Sequence, residues 1–130
     1  MLGYATVGTN DIEKARGFYD ALLAEFGAKR LMAFDNGFTM YGTGYDAPML
    51  AVTPPYDGKA ATVGNGTMIA LVAGSRPQVD AIYAKARSLG GADEGAPGVR
   101  GEEGPQAFYG AYFRDLDGNK LCVFRIGGAA

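Results

Sequence analysis

The chain has 130 residues, of which 48% are hydrophobic, and its net charge is −2, with acidic and basic residues interspersed. This length predicts a single domain, or two small modules that share a core. Without a basic stripe a nucleic-acid partner is not expected, and without a long apolar run neither is a membrane-spanning helix.

Two absences narrow the possible chemistry. The chain has no histidine, which removes the commonest metal ligand and the side chain best suited to proton transfer near neutral pH. One cysteine cannot form an internal disulfide. Since the N-terminus lacks a basic segment followed by an apolar one, we expect no signal peptide and a soluble cytoplasmic protein.

The first half begins with a predicted strand at residues 2–8. Asn10 or Asp11 caps a predicted helix that ends near Phe26, before Gly27. Apolar residues at helical spacing predict its buried stripe: Ile12, Ala15, Tyr19, Leu22, Leu23 and Phe26. Strands are then predicted at residues 29–34, 38–42 and 49–53.

Residues 56–66 are predicted to link the two halves, and the pattern then restarts with a strand at 67–73. Ser75, with Gln78 three residues later, predicts a capping box and a helix at about 76–89. Its predicted stripe is Val79, Ile82, Tyr83, Ala86 and Leu89. The Gly- and Pro-rich residues 92–106 predict one short strand and a mobile loop.

The stretch 108–124 reads as a β-hairpin around the loop at residues 115–119. The Asp-Gly pair predicts a three-residue loop with positive φ at Gly118, which pairs Tyr112 with Cys122. Alternation then predicts a helix-packing face of Ala107, Tyr109, Ala111, Phe113, Leu121 and Val123. The other face carries Phe108, Gly110, Tyr112, Arg114, Lys120, Cys122 and Phe124.

The two halves form an internal repeat in which residues 4–28 align with residues 68–92. We further align Tyr41-Gly42 with Tyr109-Gly110, and residues 50–52 with 121–123. The predicted fold is α+β: two tandem β-α-β-β-β modules form a curved mixed sheet with a concave cup and helices outside. Module one covers about 1–55, the linker about 56–66 and module two about 67–130 of one domain.

Two stretches resemble the first strand and helix and the closing hairpin of the vicinal oxygen chelate superfamily: residues 7–19 (Val-Gly-Thr-Asn-Asp-Ile-Glu-Lys-Ala-Arg-Gly-Phe-Tyr) and residues 112–122 (Tyr-Phe-Arg-Asp-Leu-Asp-Gly-Asn-Lys-Leu-Cys). This group includes glyoxalase I, bleomycin-resistance proteins and extradiol dioxygenases. Residues 64–67 and 93–100 are similar to small bacterial members. The resemblance implies the predicted fold, a homodimer and a small-molecule site in the cup.

In metal-using members of the superfamily, His, Gln or Glu side chains hold the ion at equivalent strand positions. Carried onto this chain, those positions hold Tyr4, Ala51, Met68 and Cys122. Alanine cannot ligate, and a methionine thioether does not favour hard divalent ions. We therefore expect no metal, no cofactor and no metal-dependent glyoxalase or dioxygenase reaction.

The favoured hypothesis is a metal-free protein that binds a small apolar or aromatic ligand in the cup. The candidate ligand-binding residues are Tyr4, Thr6, Met49, Met68, Arg100, Tyr112, Cys122 and Phe124. The alternative is a lyase, isomerase or dioxygenase with a non-standard site built from Tyr4, Tyr112, Cys122, Arg100 and Glu102. A third possibility is a collapsed cup whose surface binds a partner.

Overall fold

The computed structural model describes residues 1–129. They divide into two compact units, unit 1 at Met1–Asn65 and unit 2 beginning at Gly66. Each unit contains one four-stranded mixed sheet and one helix. The predicted α+β class and the two β-α-β-β-β modules are confirmed.

Unit 1 contains β1 (Tyr4–Gly8), α1 (Ile12–Ala24), β2 (Lys29–Ala33), β3 (Thr39–Gly42) and β4 (Met49–Thr53). Its strands lie in the order β1-β4-β3-β2. β1 and β4 are parallel, whereas the other neighbours are antiparallel. The helix therefore serves as the crossover that brings a later strand beside β1.

Asp11, and not Asn10, caps α1. The Asp11 backbone is extended and its carboxylate accepts a hydrogen bond from the Lys14 N–H at 3.2 Å. Asn10 is used elsewhere: its side chain exchanges two hydrogen bonds with the backbone of Ala61, at 2.7 and 3.2 Å. Asp11 thus begins the helix, while Asn10 fastens the segment around Ala61, near the end of unit 1, to the start of α1.

The core of unit 1 lies between α1 and one face of the sheet. Thr39 Oγ1 accepts a hydrogen bond from Arg16 Nε at 2.8 Å, and Tyr41 donates to Asp20 at 2.8 Å, so both strand residues face the helix. Leu50 and Val52 pair with them in register. The buried helix residues are Ala15, Phe18, Tyr19, Leu22 and Leu23, while the outer members of the predicted stripe, Ile12 and Phe26, are half-buried.

Unit 2 contains β5 (Ile69–Val72), α2 (Arg76–Ser88), β6 (Ala92–Arg100), β7 (Phe108–Arg114) and β8 (Lys120–Ile126). The strand order β5-β8-β7-β6 repeats that of unit 1. Ser75 caps α2 by accepting from the Gln78 N–H at 3.2 Å. The Gln78 side chain accepts from the Gly74 N–H at 2.6 Å, one residue before the Ser75 N–H that a capping box would use.

The predicted hairpin is confirmed in loop and register. Tyr112 pairs with Cys122, Arg114 pairs with Lys120, and Gly118 has φ 91°. Asp115 accepts from the N–H groups of both Asp117 and Asn119 at 2.9 Å, which closes the loop. The predicted helix-packing face is buried except at Tyr109, which is half-buried.

One strand forms within residues 92–106, as predicted, but it is not short. β6 spans nine residues and pairs with β7 through two register shifts, between Asp93 and Gly95 and between Gly95 and Gly98. Such bulges absorb residues that do not suit a regular ladder, including Pro97, which has no N–H to donate. The Gly- and Pro-rich sequence did not indicate a strand of this length, because β6 is held by backbone pairing with β7 and not by an alternating side-chain pattern.

The predicted match of Tyr41-Gly42 in the first half with Tyr109-Gly110 in the second was wrong. Tyr41 pairs with Leu50 on β4, and the β8 counterpart of Leu50, Leu121, pairs with Phe113. Tyr41 therefore corresponds to Phe113 and not to Tyr109. By the same register Met40 corresponds to Tyr112.

Within residues 1–129, neither helix has the length and apolar character needed to cross a bilayer.

Candidate functional site

The face of each sheet that its own helix does not cover is called here the distal face. In unit 1, Met40 lies between two helix-facing residues and so points to the distal face. Ala51 and Thr6 are its neighbours in register, and Tyr4 and Met49 join them by alternation. Ala51 is fully buried, whereas Tyr4 is 52% exposed.

An open cavity of about 730 Å³ lies over part of this distal face. Its floor is formed by two methionines, Met32 and Met40, which pair in register on β2 and β3. The lining residues are Tyr4, Met32, Phe34, Asn36, Phe38, Met40, Thr53, Pro54, Pro55 and Tyr56. A cavity of this size and apolar character is typical of small-molecule sites.

The β2–β3 turn supplies two of the cavity's rings. Phe34 N–H donates to the Phe38 carbonyl at 2.9 Å, and the Asn36 side chain accepts from the Phe38 N–H at 3.0 Å. This closure stacks Phe34 on Phe38, with ring centroids 5.7 Å apart and an interplanar angle of 23°. The edge of Tyr4 meets Phe38 at 6.1 Å and 82°. The two contacts give the cavity an ordered aromatic wall.

Pro54 packs against the same turn. A Cβ added to Gly37, whose φ is 101°, would lie 2.8 Å from the Pro54 Cδ. Gly37 is therefore required by both backbone conformation and close approach. This contact joins the turn that carries Phe34 and Phe38 to the Pro54-Pro55 segment, which also lines the cavity.

The described lining residues limit what this cavity can do. They include no carboxylate, amine, guanidinium or thiol. Carboxylates, amines, thiols and histidine are the groups that most often transfer protons near neutral pH, so the tyrosine hydroxyls are the titratable groups that this lining offers. Hydrophobic contact, ring stacking and hydrogen bonds from tyrosine hydroxyls or the Asn36 amide are the interactions that the lining offers.

The distal face of unit 2 carries a pair of aromatic rings as well as charged side chains. Phe108 and Phe124 stack there with centroids 5.3 Å apart and planes 8° apart. A Cβ on Gly110 would lie 2.5 Å from the Phe108 ring, so the glycine leaves the space in which that ring lies. Gly110 pairs with Phe124, which brings the two rings together.

Tyr112 lies farther along this face, with two cations close to its ring. The Arg100 Cζ lies 5.5 Å and the Lys120 Nζ 5.4 Å from the ring centroid. Burial, followed by the neighbouring Cys122, raises the pKa of the Tyr112 hydroxyl. The phenol therefore remains protonated at neutral pH and can donate a hydrogen bond.

Cys122 lies beside Tyr112 and is 1% exposed. Burial raises the pKa of its thiol, and the opposing effects of Tyr112, Arg100 and Lys120 are smaller. A neutral, buried thiol is a poor nucleophile and a poor metal ligand. This environment is that of a core cysteine.

The residues at the family's ligand positions do not fit a catalytic metal. Tyr4 and Ala51 lie on the distal face of unit 1, Cys122 lies on that of unit 2, and Met68 directly precedes β5. Ala51 has no donor atom, and the Cys122 thiol is held neutral. Among residues 1–129, no three His, Cys, Asp or Glu side chains are grouped as a metal site would require.

The eight predicted site residues are divided between the two units, and one of them lines the cavity. Tyr4 lines the cavity, whereas Thr6 and Met49 share its sheet face outside the lining. The other five, Met68, Arg100, Tyr112, Cys122 and Phe124, belong to unit 2. Glu102 is exposed just after β6.

The sequence analysis did not identify four of the residues that line the cavity: Met32, Phe34, Phe38 and Met40. A usable signal was present in the Asp35-Asn36-Gly37 turn. A hairpin closed by these residues makes Phe34 and Phe38 partners on one face, and alternation then adds Met40.

The chain resembles several solved structures. A glyoxalase/bleomycin resistance protein from Albidiferax ferrireducens is 36% identical, with a TM-score of 0.85 over 96% of this chain and 98% of that one. A glyoxalase/bleomycin resistance protein/dioxygenase family enzyme from Burkholderia phytofirmans is 16% identical, with a TM-score of 0.72 over 95% and 97%. A lactoylglutathione lyase from Agrobacterium tumefaciens is 18% identical, with a TM-score of 0.64 over 96% and 92%. The last two show likeness of fold alone.

No curated protein matches the chain significantly. The family model described as Glyoxalase/Bleomycin resistance protein/Dioxygenase superfamily matches residues 1–123. The match covers both β-α-β-β-β units almost completely. The chain therefore belongs to the glyoxalase/bleomycin resistance protein/dioxygenase superfamily.

Proposed function

We propose that this protein binds a small, flat, apolar or aromatic molecule in the unit 1 cavity without a metal ion. The observation that carries the proposal is the cavity itself, about 730 Å³ and walled by methionines and by the Tyr4–Phe38–Phe34 aromatic contacts. Methionine side chains adapt to ligand shape, and aromatic rings offer a planar surface for stacking.

The chemistry of the lining supports binding over catalysis. A neutral planar ligand would cover water-exposed apolar surface on Met32 and Phe38 without leaving a buried charge unpaired. The described lining residues include no carboxylate, histidine, amine or thiol that could act as a general base, a nucleophile or a strong metal ligand. The donor set at Tyr4, Ala51, Met68 and Cys122 likewise supports a metal-free role.

The direct test titrates the purified chain with 1-naphthol, a planar and nearly neutral probe, and follows binding by calorimetry. Saturable binding is expected, and Phe38→Ala should weaken it by about tenfold or more, because Phe38 contacts both other rings. Tyr45→Ala is a matched control, since Tyr45 is an aromatic residue of unit 1 that is 64% exposed and outside the cavity lining.

Three outcomes would overturn the proposal. One is the absence of saturable naphthol binding, and another is an equal loss of affinity in Phe38→Ala and Tyr45→Ala. The third is stoichiometric Mg²⁺, Zn²⁺, Ni²⁺ or Fe in the purified chain together with turnover of a hemithioacetal or a catechol. That third result would favour the lyase, isomerase or dioxygenase alternative.

We also propose a cytoplasmic homodimer, on the strength of family membership and not of any residue contact. Light scattering coupled to size-exclusion chromatography would measure the mass in solution. A monomeric mass at micromolar concentration would contradict the dimer.

A further inference from the structure

The Arg100 side chain folds back along its own strand. Its Nη1 donates to the Gly98 carbonyl at 2.9 Å and its Nη2 to the Ala96 carbonyl at 2.7 Å. The same guanidinium lies over the Tyr112 ring. An exposed arginine is usually free to sample many rotamers, but this one is held in place at three points.

Glycines make room for this arrangement. A Cβ on Gly98 would lie 3.2 Å from Arg100 Nη1, and a Cβ on Gly95 would lie 3.1 Å from Nη2. The guanidinium therefore occupies a shallow groove along β6 that larger residues would fill. The two carbonyls orient the group, and its remaining N–H donors have no acceptor among residues 1–129.

The nearby acidic side chains of β6 are held by other partners. Glu94 accepts from Arg114 Nε at 2.8 Å, and Asp93 accepts from the Tyr83 hydroxyl at 2.7 Å. Among the described residues, neither Arg100 nor Lys120 has a carboxylate within salt-bridge distance, whereas Arg76 and Arg114 of the same unit each have one. Two unneutralised cations thus converge on the ring of Tyr112.

We propose that Arg100 and Lys120 form a binding site for an oxyanion of a small molecule, a carboxylate or a phosphate, beside the Tyr112 ring. This inference goes beyond the proposed function, because it rests only on residues of unit 2 and requires no ligand in the unit 1 cavity.

Physical chemistry favours an oxyanion here. Arg100 Cζ and Lys120 Nζ lie 5.5 and 5.4 Å from the centroid of the Tyr112 ring, and an oxyanion near this ring is attracted by both positive charges. A planar guanidinium with free N–H donors suits a carboxylate or phosphate, and an ammonium adds a compact charge.

The test titrates the full chain, at low ionic strength and pH 7, with inorganic phosphate in one arm and acetate in the other. Chemical shifts of the backbone amides report binding. Saturable shifts at β6 and β7 are expected, and the tighter of the two arms identifies the oxyanion class. Arg100→Gln and Lys120→Gln should each weaken binding by about tenfold.

Two further variants separate this site from general charge effects. Gly98→Ala keeps every charge but places a Cβ against Arg100 Nη1, and its backbone is outside the left-handed region, so weaker binding is expected with an unchanged fold. Lys85→Gln removes one charge from α2 of the same unit and should leave affinity unchanged.

The proposal is overturned if neither anion gives saturable shifts, or if Lys85→Gln weakens binding as much as Lys120→Gln does. Full affinity in Gly98→Ala would equally contradict the held guanidinium. If the chain binds naphthol but neither anion, the anion site is contradicted and the proposed function is not. If it binds an anion but not naphthol, the reverse holds.

Discussion

Tyr41 donates its hydroxyl to Asp20 Oδ1 at 2.8 Å, which connects the buried centre of β3 to the exposed side of α1. The same carboxylate receives two hydrogen bonds from Arg30 of β2, at 2.8 and 2.7 Å. One acidic side chain thus joins the helix to two strands. Tyr41 is 1% exposed, so its hydroxyl has no access to water as a substitute partner.

Tyr41→Phe should lower the free energy of unfolding by about 1.5–3 kcal/mol, because it removes a hydrogen bond to a charged acceptor from a buried position. Urea denaturation followed by circular dichroism would measure the change. Tyr45→Phe is the control: Tyr45 is exposed and its hydroxyl donates to the Leu31 carbonyl at 2.8 Å, so a smaller effect is expected. Equal losses in the two variants would contradict the role of burial.

The ion pair of Glu103 with Arg76 should make the free energy of unfolding depend on pH in the acid range. The hydrogen bond from Arg76, with a second from the Gly104 N–H, lowers the pKa of Glu103 to about 2. The folded-state pKa therefore lies below that of the unfolded chain, about 4.3. The carboxylate's contribution to stability is complete above about pH 5 and is lost as the pH falls towards 2.

Glu103→Gln should accordingly flatten the dependence of unfolding free energy on pH between 5 and 2. Chemical denaturation at several pH values would measure the slope. Glu102→Gln, which changes the adjacent exposed residue by the same charge, should leave the slope unchanged. A slope altered equally by both variants would show a general charge effect instead of the Arg76–Glu103 pair.

Alanine substitutions at Gly37 and Gly27 separate two causes of destabilisation. One is a steric contact of the added Cβ, and the other is an unfavourable backbone conformation. Both glycines have positive φ, 101° and 74°, but only Gly37 has a neighbour that a Cβ would strike, at Pro54. Gly27→Ala should cost about 1–2 kcal/mol for conformation alone. Gly37→Ala should cost more and should weaken naphthol binding, because the strained turn carries Phe34 and Phe38.

Thermal or urea unfolding of both glycine variants would measure the difference. Equal destabilisation would mean that the turn shifts away from Pro54 at no cost. Unchanged naphthol affinity in Gly37→Ala would mean that the aromatic wall does not depend on this turn.

Cys122 should react slowly with thiol reagents. Its side chain is 1% exposed and burial raises its pKa, so little thiolate forms at pH 7.5 and the reagent has little access. Iodoacetamide labelling followed by mass spectrometry should show far slower modification of the native chain than of the urea-unfolded chain. Rapid labelling of the native chain would return Cys122 to the list of candidate nucleophiles.

Local patterns in the sequence determined the helices, most strands and the closing hairpin of this protein. The Asp-Gly loop sets the register of β7 against β8, because a tight turn leaves the chain few ways to return. The Ser75 cap and the spacing of Val79, Ile82 and Ala86 similarly specify α2, because both depend on neighbours within a few residues.

Tertiary structure alone decided the length of β6 and the set of residues that line the cavity. β6 forms although its residues lack a strand pattern, because β7 offers it a backbone ladder and glycine bulges absorb the misfit. The cavity unites Tyr4 of β1, Met40 of β3 and Pro54 after β4, whose proximity depends on strand order. Residue spacing along the chain carries no information on which strands become neighbours; that is settled by long-range pairing in the folded sheet.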